Sequence, residues 1–209
     1  MCCWESMQVV DTALKLIHDL DHSTRSIVFV EPSCGDGRII VELLNLRTCA
    51  LNVERIIGYD IDPSVVKKSR QNLETFGIAM DMMDSPSFRC RNFLSISKQD
   101  LAKDLANNQR LSAELNRLVI VLGGPPYTPK DLPEKFILHS IHELRADIVV
   151  FLLPKRCEKD ACSIQEKLNC RAPETGRWCF VNKELADCTF DFEGNYVSQP
   201  STLQYWYQK

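Results

Sequence analysis

The chain has 209 residues, 44% hydrophobic and 25% charged, with a formal net charge of −3. That is enough chain for one domain with a sizeable core, and the even composition excludes a disordered, collagenous or low-complexity polymer. The slightly acidic balance excludes a global basic field, so a nucleic-acid partner would have to meet a local patch or a second subunit.

Apolar residues at Val9, Val10, Ala13, Leu14, Ile17 and Leu20 predict a helix over Met7–Leu20. SIVFVEP (26–32) reads as a short buried strand closed by Pro32, and RIIVELLNL after it as a second helix. ERIIGYDID (54–62) is a strand ending in acids. Pro63 then opens a helix that runs to Gly77, a C-cap. Ser87–Phe93 reads as a short strand, Lys98–Asn116 as a polar helix and LVIVLGG (118–124) as an apolar strand. LPEKFILHSIHEL (132–144) is an amphipathic helix, ADIVVFLLP (146–154) a buried strand, and 155–177 a loop rich in Lys, Arg, Cys and Glu. The ending has three strand-like pieces, RWCFV, CTFDF and TLQYWYQ, with GNYVSQPS between the last two. Strands alternating with helices predict a mostly parallel, doubly wound α/β sheet, and the ending predicts a closing antiparallel hairpin at or near one edge.

The ten cysteines are scattered, with no C-x-x-C pair and no nearby histidine, so the spacing matches no structural zinc site and no metal is expected. With no signal-peptide pattern read at the start, they predict reduced, mostly buried thiols in a cytosolic or nuclear protein. No apolar run approaches membrane-spanning length.

In such a sheet ligands bind beyond the carboxyl ends of the strands. Three strand ends carry unusual residues: EPSCGDG, GYDIDP and GGPPY. Gly35 and Gly37 fit a tight turn, or a backbone that a ligand can approach closely. Glu31 and Asp36 beside them disfavour a pyrophosphate and favour a cationic group. Asp60 stands where a ribose diol can be held, whereas Asp62 can cap the helix that follows. Asn92 could pair with an adenine edge and Phe93 could stack on its face or belong to the core. In GGPPY two prolines fix φ and remove donors, which leaves a rigid loop with carbonyls facing outward and Tyr127 at the sheet edge as a stacking platform. Among the basic pairs, Lys155-Arg156 follows a strand end on this same side.

These residues in this order resemble the class I S-adenosylmethionine-dependent methyltransferases. More narrowly, the chain is similar to the amino-methyltransferases whose signature is Asn or Asp followed by Pro-Pro-Tyr, Phe or Trp, which include adenine-specific DNA and RNA enzymes. The resemblance implies a Rossmann-like, mostly parallel seven-stranded sheet with an antiparallel C-terminal hairpin strand and helices on both faces. It also implies one methyltransferase domain over 1–209, with a cofactor half of about 1–95 and a catalytic-loop half of about 96–209. The implied cofactor set for S-adenosylmethionine is Glu31, Pro32, Ser33, Gly35, Gly37, Asp60, Ile61, Asn92, Phe93 and Gly123, and the implied catalytic loop is Gly124, Pro125, Pro126 and Tyr127. Asn92 replaces the family's usual Asp, and Gly124 replaces the Asn or Asp that accepts a hydrogen bond from the amine being methylated. Gly-Gly-Pro-Pro is also similar to the cytosine-5 enzymes, but Tyr127 stands where their nucleophilic cysteine would be and excludes that chemistry. The expected activity is methyl transfer to an exocyclic amino group of RNA or DNA, with a protein partner able to supply recognition. The alternatives are a cofactor-binding scaffold of impaired catalysis and a protein amide methyltransferase.

Overall fold

The computed structural model describes residues 3–22, 25–45, 51–77, 86–106, 117–171, 176–192 and 195–209. Seven strands form a single sheet: β1 Ser26–Glu31, β2 Val53–Asp60, β3 Ser87–Cys90, β4 Arg117–Gly123, β5 Ile148–Pro154, β6 Trp178–Phe192 and β7 Asn195–Gln208. Their order is β3-β2-β1-β4-β5-β7-β6, with the first five parallel and β7 antiparallel to both neighbours. The fold is therefore the expected Rossmann-like sheet with its antiparallel hairpin.

Burial explains why the strands read as continuous apolar runs. Every residue of β1 and β5 is buried, as a parallel strand covered on both faces requires. Ile27 and Phe29 point to one face, where α1 (Cys3–Asp19), α2 (Arg38–Asn45) and α3 (Pro63–Thr75) pack. Val28 and Val30 point to the other, covered by α4 (Lys98–Ala106), α5 (Leu132–His142) and α6 (Ala161–Arg171). The strand order reverses between β1 and β4, so the crevice between their carboxyl ends is the natural ligand position.

The helix expected from Met7 begins earlier, at Cys3. Three expectations change more substantially. The 155–177 loop is a 3-10 turn over Lys155–Asp160 followed by α6. Buried Cys157, Ala161, Ile164 and Leu168 recur at helical spacing, but charged neighbours hide the stripe in the sequence. RWCFV and CTFDF are parts of one long strand, β6, interrupted by a register shift between Leu185 and Cys188. GNYVSQPS belongs largely to β7; its Pro200, which has no N–H to donate, lies opposite that irregularity and just past the end of β5 pairing. Strand β3 stops at Cys90, because Asn92 already caps a 3-10 turn over Phe93–Ser95. Residues 107–116 of the expected Lys98–Asn116 helix lie outside the described residues, as do Leu46, 172–175 and Gly194.

Candidate active site

The loop after β1 is pinned to β2 by backbone bonds. The Cys34 N–H donates to the Tyr59 carbonyl (2.8 Å), and the Gly37 N–H to the Cys34 carbonyl (2.8 Å). Asp60, at the end of β2, accepts the Gly35 N–H through one carboxylate oxygen and the Asp62 N–H through the other, both at 3.1 Å. Asp62 itself caps α3, accepting from the Ser64 N–H (2.8 Å) and hydroxyl (2.7 Å), and these bonds hold its carboxyl below the usual range.

The two glycines of this loop differ in their reason. Gly37 has φ +81°, and a Cβ there would lie 3.3 Å from Leu73 and 3.4 Å from Ser69, so it is required by packing against α3. Gly35 has φ +52° and open space around its missing Cβ, the condition for a group to approach the backbone.

A cleft of about 300 Å³ opens above these ends, the lower end of the range for small-molecule sites, roughly 300–1,000 Å³. It is lined by Pro32 and Ser33 after β1, Asp60 and Ile61 after β2, Arg91 to Leu94 after β3, Pro126 after β4, and Leu132 and Phe136 of α5. Seven sequence-predicted site residues thus meet at one cleft: Pro32, Ser33, Asp60, Ile61, Asn92, Phe93 and Pro126. Ile61 is 71% exposed, an apolar side chain with nothing packed on most of its surface. Glu31, Gly35, Gly37, Gly123, Gly124, Pro125 and Tyr127 are not among the lining residues. Leu94, which follows Asn92 and Phe93 in the adenine-binding segment that the resemblance implies, joins these two; Arg91, Leu132 and Phe136 were not anticipated, though Leu132 and Phe136 are an i, i+4 apolar pair opening the helix after GGPPY.

Two side chains behave differently from expectation. Phe93 is 2% exposed, stacked on Phe136 (5.1 Å between centroids) and edge-on to His139 (5.1 Å), so its faces are used inside the core. Asn92 accepts the Leu94 N–H (3.1 Å) as the cap of its own turn.

Beside the cleft the charges do not balance. Glu31 is 3% exposed, and its Oε2 has no hydrogen-bond partner in the protein. Burial, then the negative fields of Asp36 and Asp60, push its carboxyl well above the usual range. Asp36 is paired with Arg38 at 2.7 Å. Arg91 is shared between Asp100 (3.4 Å) and Asp104 (3.7 Å).

The β4 end approaches this acid directly. Gly123 has φ +150°, and a Cβ there would come within 3.4 Å of Glu31 Cγ and of Pro32 Cδ. Pro125 is buried and Pro126 exposed, and the Thr128–Pro129 peptide is cis. Tyr127 does not project from the sheet edge. Half-buried, it packs against the core of the α1 face, and its hydroxyl donates to the Leu152 carbonyl of β5 (3.2 Å). Burial pushes that phenol up. The carbonyl of Tyr127 is also engaged, accepting from Arg156 Nη2 at 2.6 Å. Lys155 pairs with Glu184 of β6, so Lys155 and Arg156 do not stand as a free basic cluster. Lys135 and Lys167 are likewise paired, with Asp131 (2.7 Å) and Glu134 (2.5 Å).

Of the seven cysteines whose side chains are described, Cys34, Cys157 and Cys188 are buried while Cys90, Cys162 and Cys170 are exposed, so burial is less general than the sequence suggested. Among the described residues no group of His, Cys, Asp and Glu is placed to hold a metal, and no helix is long and apolar enough to cross a membrane.

No protein-family model matches the chain. Among solved structures it is similar to the methyltransferase domain of the bacterial protein CtHen1, with a TM-score of 0.59 and 13% identity over 97% of this chain and 98% of that one. It is also similar to a candidate RNA methyltransferase from Pyrococcus horikoshii (TM-score 0.54, 13% identity, 93% and 80% covered). A third is an rRNA methylase from Streptococcus thermophilus (0.50, 13%, 92% and 94%). Identities this low speak to architecture alone, and on that level the result is plain: the chain has the fold of the class I methyltransferases.

Proposed function

We propose that residues 1–209 form one S-adenosylmethionine-dependent methyltransferase domain, with cofactor and catalytic-loop halves of about 1–95 and 96–209, that methylates an exocyclic amino group of RNA or DNA, adenine in the first instance. One observation carries this reading. Four successive strand ends converge on a single cleft, beside a buried acid that is short of a positive partner.

The residues present fit the cofactor. A cationic amino group brought to Glu31 would meet the unpartnered Oε2 and offset the combined negative field of Glu31, Asp36 and Asp60. Asp60 keeps acceptor capacity for ribose hydroxyls beyond its two backbone donors, since each carboxylate oxygen takes about two hydrogen bonds. Ile61, Leu94, Leu132 and Phe136 offer an apolar surface for a flat base, with the Asn92 amide at its edge. When bound, S-adenosylmethionine supplies an electrophilic methyl group on a positively charged sulfur.

On the target side the chain offers a ring and a carbonyl. In this reading the accessible part of the half-buried Tyr127 meets a planar group, and the Pro125 carbonyl accepts one amino hydrogen, which directs the nitrogen lone pair toward the methyl group. The nucleic-acid target is supported by the RNA methyltransferases among the structural neighbours. With net charge −3 and Lys135, Lys155 and Lys167 paired, recognition of phosphate falls largely to a protein partner. A second reading, a scaffold that binds cofactor without turnover, is favoured by Gly124, which has no side chain to accept from the amine. Methylation of a protein amide would use the same ring and carbonyl.

The test is transfer of labelled methyl from S-adenosylmethionine to separate RNA, DNA and protein pools. The wild type labels a nucleic-acid pool, Tyr127→Ala lowers the rate by roughly 5- to 150-fold, the equivalent of one lost base stack, and Gly124→Asn raises it. Labelling of protein alone selects the amide reading, and no labelling of any pool selects the scaffold. Full activity in Tyr127→Ala would remove this loop from the site.

A further inference from the structure

We propose that Arg156 is a positioning residue for the target-side loop: by holding the Tyr127 carbonyl it fixes the course of residues 124–128, of which Pro126 lines the cleft. This rests on the methyltransferase reading above. Residues 124 to 128 form neither helix nor strand, and Pro125, Pro126 and Pro129 have no N–H to donate. Such a loop has little means of holding itself by backbone bonds, so ties from outside set its shape.

Two hydrogen-bonded ties come from one place. Leu152 of β5 takes the Tyr127 hydroxyl at 3.2 Å, and Arg156, two residues beyond the end of that strand, donates to the Tyr127 carbonyl at 2.6 Å. The ring is thus held at its tip and at its backbone. The Arg156 bond is charge-assisted, roughly twice as strong as a neutral one, and Arg156 is half-buried, which limits competition from water. Its neighbour behaves differently. Lys155 is exposed and paired with Glu184 of β6, which anchors the turn from which Arg156 reaches inward. Two adjacent bases that look like one basic patch therefore do separate work, one fastening the turn to the hairpin and the other fastening the loop to the turn.

The experiment compares Arg156→Ala and Arg156→Lys with wild type in amide hydrogen exchange at Tyr127 and Thr128, S-adenosylmethionine affinity, and methyl transfer resolved into kcat and KM. In Arg156→Ala, exchange at Tyr127 and Thr128 rises and kcat falls, each by about tenfold, the scale of one lost charge-assisted hydrogen bond. Cofactor affinity changes less than kcat, because Pro126 is the one residue of this loop in the cleft lining and the strand ends that form the rest are unaltered. Arg156→Lys, which keeps a charged donor, recovers part of both losses; an arginine acting only on overall stability would give no such split. Should the alanine variant fail to fold, Arg156→Gln is read in the same way. Unchanged exchange overturns the proposal. So does an unchanged kcat with a raised KM and a salt slope for RNA binding reduced by about one unit, the signature of a phosphate contact. If the wild type labels no pool, the methyltransferase reading fails on that result alone, while exchange still decides whether Arg156 holds the loop.

Discussion

The two ends of the parallel strands treat charge in opposite ways. Where the strands begin, charges are matched. Arg117, 8% exposed at the start of β4, reaches both carboxylate oxygens of Glu54 at the start of β2 (2.9 and 2.6 Å). Arg25, just before β1, pairs with Asp147 at 3.1 Å, and Asp147 also accepts the Val119 N–H at 2.8 Å. Where the strands end, acids accumulate: Asp36 and Asp60 lie close enough to Glu31 for their negative fields to raise its carboxyl, and Glu31 Oε2 is buried with no partner. A buried charge is tolerable when its partner comes with it and costly when it does not. One end therefore explains itself as structure. The other leaves a buried carboxyl oxygen without a partner, which the proposed cationic ligand would supply.

That contrast can be broken at either end, and the largest effect belongs to the matched end. Arg117→Ala leaves Glu54 without its main partner and lowers unfolding free energy by about 3–5 kcal/mol, the usual cost of breaking a buried pair. Urea denaturation measures it, and cofactor affinity of the folded protein stays the same. A loss confined to a few tenths of a kcal/mol would mean that the pair is no more than a surface ornament.

At the unmatched end the sign reverses. Glu31 has a folded-state pKa above its unfolded value, so the native state holds a proton that the unfolded chain has released. Stability from this group is complete below the ordinary carboxylate range and is lost as pH rises through the raised value. Glu31→Gln removes that loss. Without ligand the variant gains stability over wild type toward alkaline pH, while its affinity for S-adenosylmethionine drops by about 1–3 kcal/mol, the range for an unmade bond to a charged group. Thermal melts from acid to alkaline pH, with and without cofactor, read both. Parallel pH profiles for the two proteins would show that Glu31 is not strained by its surroundings.

The smallest effect is at the target-side loop. Tyr127→Phe deletes the bond to the Leu152 carbonyl and costs about 1 kcal/mol of stability, while the ring stays in place. A loss of several kcal/mol in denaturation would show that the phenol holds more than this one contact.

How much of this could be read in advance depends on where the determining contacts lie. The parallel sheet was legible because SIVFVE, ERIIGYD, LVIVLG and ADIVVFLLP are β-branched or apolar runs that stop at Pro, Asp or Gly, and each signal is local. The division of labour between Asp60 and Asp62 was legible for the same reason, since capping acts within two residues. The 3-10 turn and helix α6 were not legible, because their shared stripe of Cys157, Ala161, Ile164 and Leu168 is thin and set among charges. Arg91, Leu132 and Phe136 join the cleft only through strand order, which brings together segments 30 or more residues apart. Phe93 could be read as a ligand platform or as core, and its partners Phe136 and His139, far along the chain, decide for core. Arg156 could be read only as half of a basic pair beyond a strand end on the site's side, because nothing in its own segment reveals the carbonyl that it meets.

The central claim is that the unbalanced acid end of the sheet binds S-adenosylmethionine, and calorimetric titration of the cofactor into wild type and Asp60→Ala tests it most directly. The account predicts saturable one-to-one binding by the wild type. In Asp60→Ala the affinity falls by about 1–3 kcal/mol, as unpaired hydroxyls and the loosened Gly35 and Asp62 amides lose their acceptor. A folded wild-type protein that takes up no cofactor, or an Asp60→Ala variant that binds it equally well, would contradict the account.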